Sequence, residues 1–378
     1  MKWGDLITLE YGKPIKDKSS SNGPVPVYGT NGKIGTSFLP PLCRFPSFIL
    51  GRKGAYRGVH YSDTPFSVID TAFYAKSKTD KLDLKWAYYK FLTYDINNMN
   101  SGSAIPSTDR YEIYSIDVSL PSLTDQKRII SILEVFDKKI LLNKNINDNL
   151  QKQLATIYKS WYQDFSRVAD EEFVETEYGM IPKGWHYTLL GDLCQSISVT
   201  HKFDKEELIF LNTGDVKDGH FLHSNFMAVK DMPGQAKKTI APRDILYSEI
   251  RPINRHFAFV NFPSADYVVS TKLMVIRAKF FDAIRLYHYL TSDSVLSELQ
   301  LQAESRSGTF PQIRFDNVSR LPILIADEQT ESDFIELLHT LYAQIEHINS
   351  ENEKLSELRD NLLPKLMSGE IDVSDIQI

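Results

Sequence analysis

Two stretches of this chain place apolar residues on one strict 4-3 alternation. The first runs through Ile129, Leu133, Phe136, Ile140, Leu150, Leu154, Ile157 and Trp161. The second runs through Phe334, Leu338, Leu341, Ile345, Ile348, Leu355, Leu362 and Leu366, and the two series superpose at an offset of 205 residues. This is the period of a coiled coil, not of a strand. Each run, about 40 residues, predicts roughly 60 Å of helix at 1.5 Å per residue. A helix that long must bury its stripe against a partner, and the nearest partner is the other run.

The rest of the chain repeats as well. Gly4-Asp5-Leu6 returns as Gly191-Asp192-Leu193 at an offset of 187, and Ile105-Pro106 returns as Phe310-Pro311 at an offset of 205. The stretches SGSAIPS and SGTFPQIR therefore occupy equivalent places, each just ahead of a long helix. An offset that grows across the globular part means that the second globular part is the longer one. The reading gives residues 1–121 as a first globular domain, 122–167 as a first spacer helix and 168–184 as a linker. Residues 185–325 form a second globular domain, 326–370 a second spacer helix and 371–378 a tail.

Both globular parts read as mixed α and β. Strand signals lie at 47–50, 66–69 and 118–120, and again at 244–247, 257–260, 272–276 and 321–325. Helices are expected at 84–92 and 282–290. The fold class is α+β or α/β: two globular domains separated by a pair of long antiparallel coiled-coil helices, with a pseudo-two-fold internal repeat. Asn143 and Asn147 interrupt the first stripe, and Asn352 and Arg359 the second. Asn147 and Asn352 are equivalent and near mid-helix, so they are expected to meet and fix register at a cost in stability.

The net charge of −6 is unevenly spread. The two globular parts carry +4 and +1 and the first helix +3, while the linker carries −4 and residues 326–378 carry −10. Such asymmetry permits polyanion binding by the globular parts. Cys43 and Cys194 make no disulfide framework and no metal-ligand spacing. No apolar run approaches the roughly 20 residues of a membrane span, and the start is not a signal peptide, so a cytoplasmic location is expected.

Catalytic motifs are missing. GTNGKIGTS at 29–37 has Ile34 where a phosphate loop needs Ser or Thr after its Lys. Asp244 with Glu249 and Arg251 has the spelling of a metal-dependent nuclease site, one that a strand and a charged turn also produce. A binding protein without catalytic or metal residues is the better reading. Its most informative stretch is ILGRKGAYRGVHY at 49–61, where Gly51, Gly54 and Gly58 alternate with Arg52, Lys53, Arg57 and His60. Glycines let a backbone approach a ligand closely, and the cations suit phosphates or guanine edges. With Lys33, Ser103 and Arg110 these are the candidate DNA contacts of the first domain. Lys237, Lys238, Arg251, Asn254, Arg255, Arg306, Thr309 and Arg314 are those of the second.

LATIYKSWYQDF at 154–165, MIPKGWHYTLLGDLC at 180–194 and LSELRDNLLPKLMSGEI at 355–371 complete a family likeness, together with GRKGAYRGV and the two Ser-Gly-x-Pro loops. Over essentially its whole length the chain resembles the specificity subunit of a type I DNA restriction-modification system. That resemblance implies two target-recognition domains, each reading half of a bipartite duplex site, held apart by the helices. It further implies that two methyltransferase subunits carrying S-adenosylmethionine dock on those helices. Restriction subunits that use ATP and Mg would join through the methyltransferases, and the chain itself would be non-catalytic. A short lead before Gly4 departs from the second copy, where Ile181-Pro182-Lys183-Gly184-Trp185 precedes the repeat. The competing readings are a coiled-coil scaffold for two small-molecule domains and a stand-alone Mg-dependent nuclease.

Overall fold

The structure, a computed structural model, describes residues 1–15, 23–54, 56–99, 106–168, 173–306 and 309–377. It divides into two compact units, Met1–Asn145 with Ile348–Ile378, and Ile146–His347. These units cut across the expected segments, because each keeps half of both long helices with its own globular domain. The helices run Leu123–Tyr162 and Glu328–Ser368. None of the helices among the described residues is long and apolar enough to cross a membrane.

In unit 1 a four-stranded antiparallel sheet has the order Ile7–Tyr11, Ala72–Ser77, Ser47–Gly51, Val59–Ser62. A smaller sheet joins Gly32–Ser37, Val25–Gly29 and Ser67–Val68, the last pair parallel. The helix Leu84–Leu92 starts where the Asp83 carboxylate accepts the amide of Lys85 at 2.8 Å, a side-chain N-cap. Its buried Trp86, Tyr89 and Phe91 share one core with Trp3, with Ile129, Ile130 and Leu133 of the first long helix, and with Leu363 and Leu366 of the second. The start of one helix therefore lies beside the end of the other, which makes the pair antiparallel.

The polar residues of this half-seam are paired. Arg359 Nη1 reaches Asp137 at 2.9 Å. Asn143, 1% exposed, donates from Nδ2 to Asn352 Oδ1 at 2.9 Å and to Glu351 Oε2 at 2.7 Å. Asn352 thus meets Asn143, not the equivalent Asn147. The Asn143–Asn352 contact belongs to the same antiparallel register as the Asp137–Arg359 pair. Asn147 is buried in unit 2.

Unit 2 repeats the architecture. Its main sheet has the order Cys194–Ile197, Leu273–Ala278, Ile245–Ser248, Phe257–Phe259. The second sheet again contains a parallel pair, Glu207–Leu211 with Tyr267–Ser270. Asp282 caps the helix Ala283–Leu290. A further helix, Asp293–Arg306, has no strong sequence pattern; most of the extra length lies ahead of Asp282. Residues 173–182, expected as linker, form a two-stranded ribbon of Phe173–Thr176 with Gly179–Pro182. Pro322–Ile325 pairs with His186–Leu189, whereas its counterpart in unit 1 is reduced to one bridge between Lys2 and Asp117, so the strand expected at 118–120 does not form.

The joint between the globular domain and the helices in unit 2 is charged. Arg285 is fully buried; its Nε donates to Glu331 Oε1 at 2.9 Å and its guanidinium lies 4.7 Å from the Tyr162 ring and 5.2 Å from Phe334. Tyr162 Oη donates to Glu331 Oε2 at 2.6 Å. Removing one partner of such a pair leaves a bare buried charge. Arg285→Met should therefore cost about 3–5 kcal/mol, and adding Glu331→Met should recover much of it, as read by urea unfolding.

His288 sits beside this joint among Tyr158, Phe334 and Tyr342. Burial, reinforced by the Arg285 charge, pushes its imidazole down to about 3. Unfolded, the ring titrates near its ordinary ~6.5. Between those values the unfolded chain binds the proton more readily, so stability is lost as pH falls from about 6.5 toward 3. His288→Phe should flatten that acid limb, seen as a smaller shift in the urea midpoint between pH 7 and pH 5.

Candidate nucleic-acid interface

The turn from Gly51 to Gly58 leaves the main sheet of unit 1 between Ser47–Gly51 and Val59–Ser62. Arg52 is fixed at its start: the backbone amide donates to Thr71 O at 2.8 Å and Nη1 to Asp70 O at 3.1 Å. Its guanidinium lies 4.7 Å from the Tyr11 ring centroid, and that of Arg110 lies 5.0 Å from the same ring. Tyr11 ends the strand Ile7–Tyr11 and is 43% exposed. Each contact contributes about 0.5–1 kcal/mol at such a site. Two cations beside one exposed ring suit an anion such as phosphate, which accepts from paired N–H donors.

The other members of the stretch behave differently. Arg57 is 2% exposed; its amide donates to Asn97 Oδ1 at 2.7 Å and Nη2 to Asn97 O at 2.6 Å. It ties the turn to the loop after Leu84–Leu92, so the expectation that it contacts DNA is corrected. Two of the glycines are small for the protein's own sake. A Cβ on Gly51 would lie 2.7 Å from Thr30 O, and one on Gly58 2.4 Å from His60 Nε2. His60 fills the space Gly58 leaves, and burial, partly offset by its hydrogen bond with the Thr30 backbone, holds its imidazole below the usual range. Only Gly54 of the three has a left-handed backbone, φ 126°, with room around it. Lys33 and Lys53 are exposed. Ser103 lies outside the described residues.

Of the repeated Ser-Gly-x-Pro loops, residues 101–105 and 307–308 lie outside the described residues. In unit 1, Gly54 N donates to Pro106 O at 3.0 Å and Thr108 N to Arg52 O at 2.8 Å. In unit 2, Arg251 N donates to Pro311 O at 3.2 Å and Ile313 N to Glu249 O at 2.8 Å. The described end of each loop, at 106–108 and at 311–313, braces the turn of its own domain.

The second turn joins Ile245–Ser248 to Phe257–Phe259 and presents Arg251 and Asn254. Lys217 Nζ donates to Asn254 O at 2.6 Å. Arg255 is spent on ion pairs with Asp218 and with Asp293, the latter at 2.8 Å, and stacks on Phe257. Lys238 is turned inward: Nζ donates to Thr271 O at 3.0 Å and Leu273 O at 2.9 Å, and burial lowers its pKa. Lys237, Thr309 and Arg314 are exposed, and the side chain of Arg306 lies outside the described residues. Asp244, the carboxylate of the nuclease-like spelling, is fully buried and held by Arg277 at 2.6 and 2.8 Å. Glu249 pairs with Lys272 at 3.6 Å. Among the described residues no cluster of His, Cys, Asp and Glu could hold a metal ion.

Residues 1–152 and 182–357 both match the family described as type I restriction modification DNA specificity domain. The chain belongs to this family. The two matches correspond to the two copies found in the sequence, each a specificity domain with most of its long helix. Among relatives, the specificity subunit of the type I restriction enzyme HindI of Haemophilus influenzae is 42% identical over 181 residues, which covers 47% of this chain and 39% of that relative's length. That of the enzyme MjaIX of Methanocaldococcus jannaschii is 24% identical over 308 residues, 77% of this chain and 70% of the relative. The crystal structure of a type I restriction-modification S subunit from M. genitalium has a TM-score of 0.57 at 15% identity, over 97% of this chain and 95% of that one. That likeness is one of fold.

Sequence reasoning missed Tyr11, Asn97 and Lys217. Nothing marks Tyr11 among 19 tyrosines. Its role comes from the ladder that sets it across from Phe73, beside Arg52. Arg57→Ala should cost about 1–3 kcal/mol through loss of the buried bond from Nη2 to Asn97 O. Arg52→Ala and Arg110→Ala should each cost only about 0.5–1 kcal/mol, the worth of the contact with Tyr11, yet elute from heparin at lower salt. Thermal melts and salt-gradient elution check both.

Proposed function

We propose that the chain is the DNA-recognition subunit of a type I restriction-modification complex, non-catalytic itself, reading a bipartite duplex target with one half-site per specificity domain. The observation that carries this reading is the duplication: the same sheet order, the same braced turn and the same long helix occur twice in one polypeptide. A protein built on a pseudo-two-fold plan suits a target in two parts, with their spacing set by geometry. The two domains differ in length and in the residues of their turns, so the half-sites would be unrelated in sequence.

Direct contacts would come from Arg52, Lys53 and Arg110 with Tyr11 in the first domain, and from Arg251, Asn254, Lys237, Thr309 and Arg314 in the second. Methyltransferase subunits would dock on the long helices. Val135, Leu141, Leu142 and Leu358 of the unit 1 halves are more than half exposed, an apolar surface that favours a protein partner. S-adenosylmethionine would reside on those subunits, and ATP and Mg on the restriction subunits that join through them. The acidic second helix is better suited to protein than to DNA. The scaffold reading leaves the paired arginines over Tyr11 without a ligand, and the nuclease reading loses its carboxylate to Arg277.

Mapping methyladenine across the genome of the source cell, with and without this chain, tests the proposal. A two-part motif that disappears on deletion is expected, and an unchanged methylation pattern refutes it. Inserting four residues at matched mid-helix positions adds about 6 Å of rise to each helix. The methylated motif should then keep its half-sites and gain a longer gap.

A further inference from the structure

The two recognition turns are closed alike: Gly51 N donates to Gly58 O at 2.8 Å, and Ser248 N to His256 O at 2.9 Å. Gly54 and Arg251, the residues braced by Pro106 and Pro311, both have a left-handed backbone, with φ of 126° and 44°. Two positions further on, each turn holds out a bulky side chain. Tyr56 is 67% exposed and Ile253 is 53% exposed. In unit 2 the support is stiff. Pro252 begins a single 3-10 turn, Asn254 N donates to Arg251 O at 2.9 Å and Arg255 N to Pro252 O at 2.9 Å. Gln300 Oε1 accepts the amide of Ile253 at 3.3 Å. Arg251 and Arg255 are left-handed without being glycine, a strain of order 1–3 kcal/mol each that persists only where the surroundings impose it.

A strained and braced turn thus exposes an isoleucine whose burial would return about 1.5–3 kcal/mol. We propose that Ile253 and Tyr56 are wedges, each entering between stacked bases of the half-site read by its own domain. This rests on the DNA-recognition reading above. Domains that read unrelated half-sites share no base code, so a bulky apolar or aromatic residue at the same place in both turns suits a role independent of base identity. Opening a base step is one such role. An inserted apolar side chain unstacks the step for a few kcal/mol and bends the duplex onto more protein surface. Arg251 and Lys53, exposed in the same turns, supply the flanking phosphate contacts.

The test uses the chain assembled with its methyltransferase subunits and its mapped target, with 2-aminopurine placed at successive positions of each half-site. Wild type should brighten the probe at one step per half-site. Ile253→Ala should abolish the signal in the half-site of unit 2 and weaken binding about tenfold, while Tyr56→Ala does so in the other. Ile253→Leu and Tyr56→Phe should keep both. An abasic position at the affected step should restore Ile253→Ala to within about twofold of wild type, because the unstacking cost is already met. If Ile253→Ala matches wild type in fluorescence and affinity, the wedge is overturned and the recognition role stands. If uracil in place of thymine reproduces the loss, Ile253 reads a methyl group and the wedge is likewise overturned. If wild type binds no duplex, the proposed function fails and takes the wedge with it.

Discussion

Each long helix carries an apolar stripe too long for water to tolerate, and covering that stripe organises everything else. The cover comes from the opposite helix and from the aromatic core of a recognition domain together. In unit 1, Ile129 and Leu133 pack with Trp86, Phe91 and Leu366. In unit 2, Phe334 and Leu338 pack with Leu154, Tyr162 and Trp185. Neither helix half is a free spacer with a domain hung on its end. In unit 1 the sheet that carries the turn and the helices share one core, whereas in unit 2 the sheet core and the helix core are separate clusters with the partly buried Tyr342 packed against both.

The sequence exposed the parts of this arrangement that depend on period. A 4-3 alternation has one structural meaning, and Asp83 and Asp282 mark helix starts through capping chemistry that needs no tertiary information. The antiparallel pairing rested on the pseudo-two-fold repeat, since a 4-3 stripe by itself does not set the orientation. Register was harder, because Asn143, Asn147 and Asn352 all sit at seam positions and the stripe alone does not say which of them meet. Strands on the far side of the sheets, such as Val25–Gly29 and Glu207–Leu211, carry too little pattern to stand out among loops.

The candidate site was legible as a place and not as a set of contacts. A glycine-rich turn studded with cations looks the same on paper whether a side chain points outward or inward. Arg52 points toward an aromatic platform, and Arg57, five residues on, is a strut. Gly58 and His60 illustrate the same ambiguity, since the space a missing Cβ leaves can be claimed by a neighbouring ring as readily as by a ligand. Lys238 and Arg255 likewise spend their charge inside the fold. Distinguishing these cases requires knowing which strands are neighbours, and that is fixed by pairings between residues far apart in the chain.

The duplication is faithful in topology and unfaithful in chemistry at one buried place. Gln126 in unit 1 and Glu331 in unit 2 stand at the same helical position. Gln126 is neutral and satisfies Asp83 N, Lys81 O and Pro121 O. Glu331 is charged and answers Arg285 and Tyr162. A chimera that transplants the second recognition domain onto the first helix would therefore strand a guanidinium in a dry core with an amide for company. Domain exchange between such chains is compatible with a sound fold only when the crossover falls beyond the first helical turn, carrying the counter-ion along with the reader it serves.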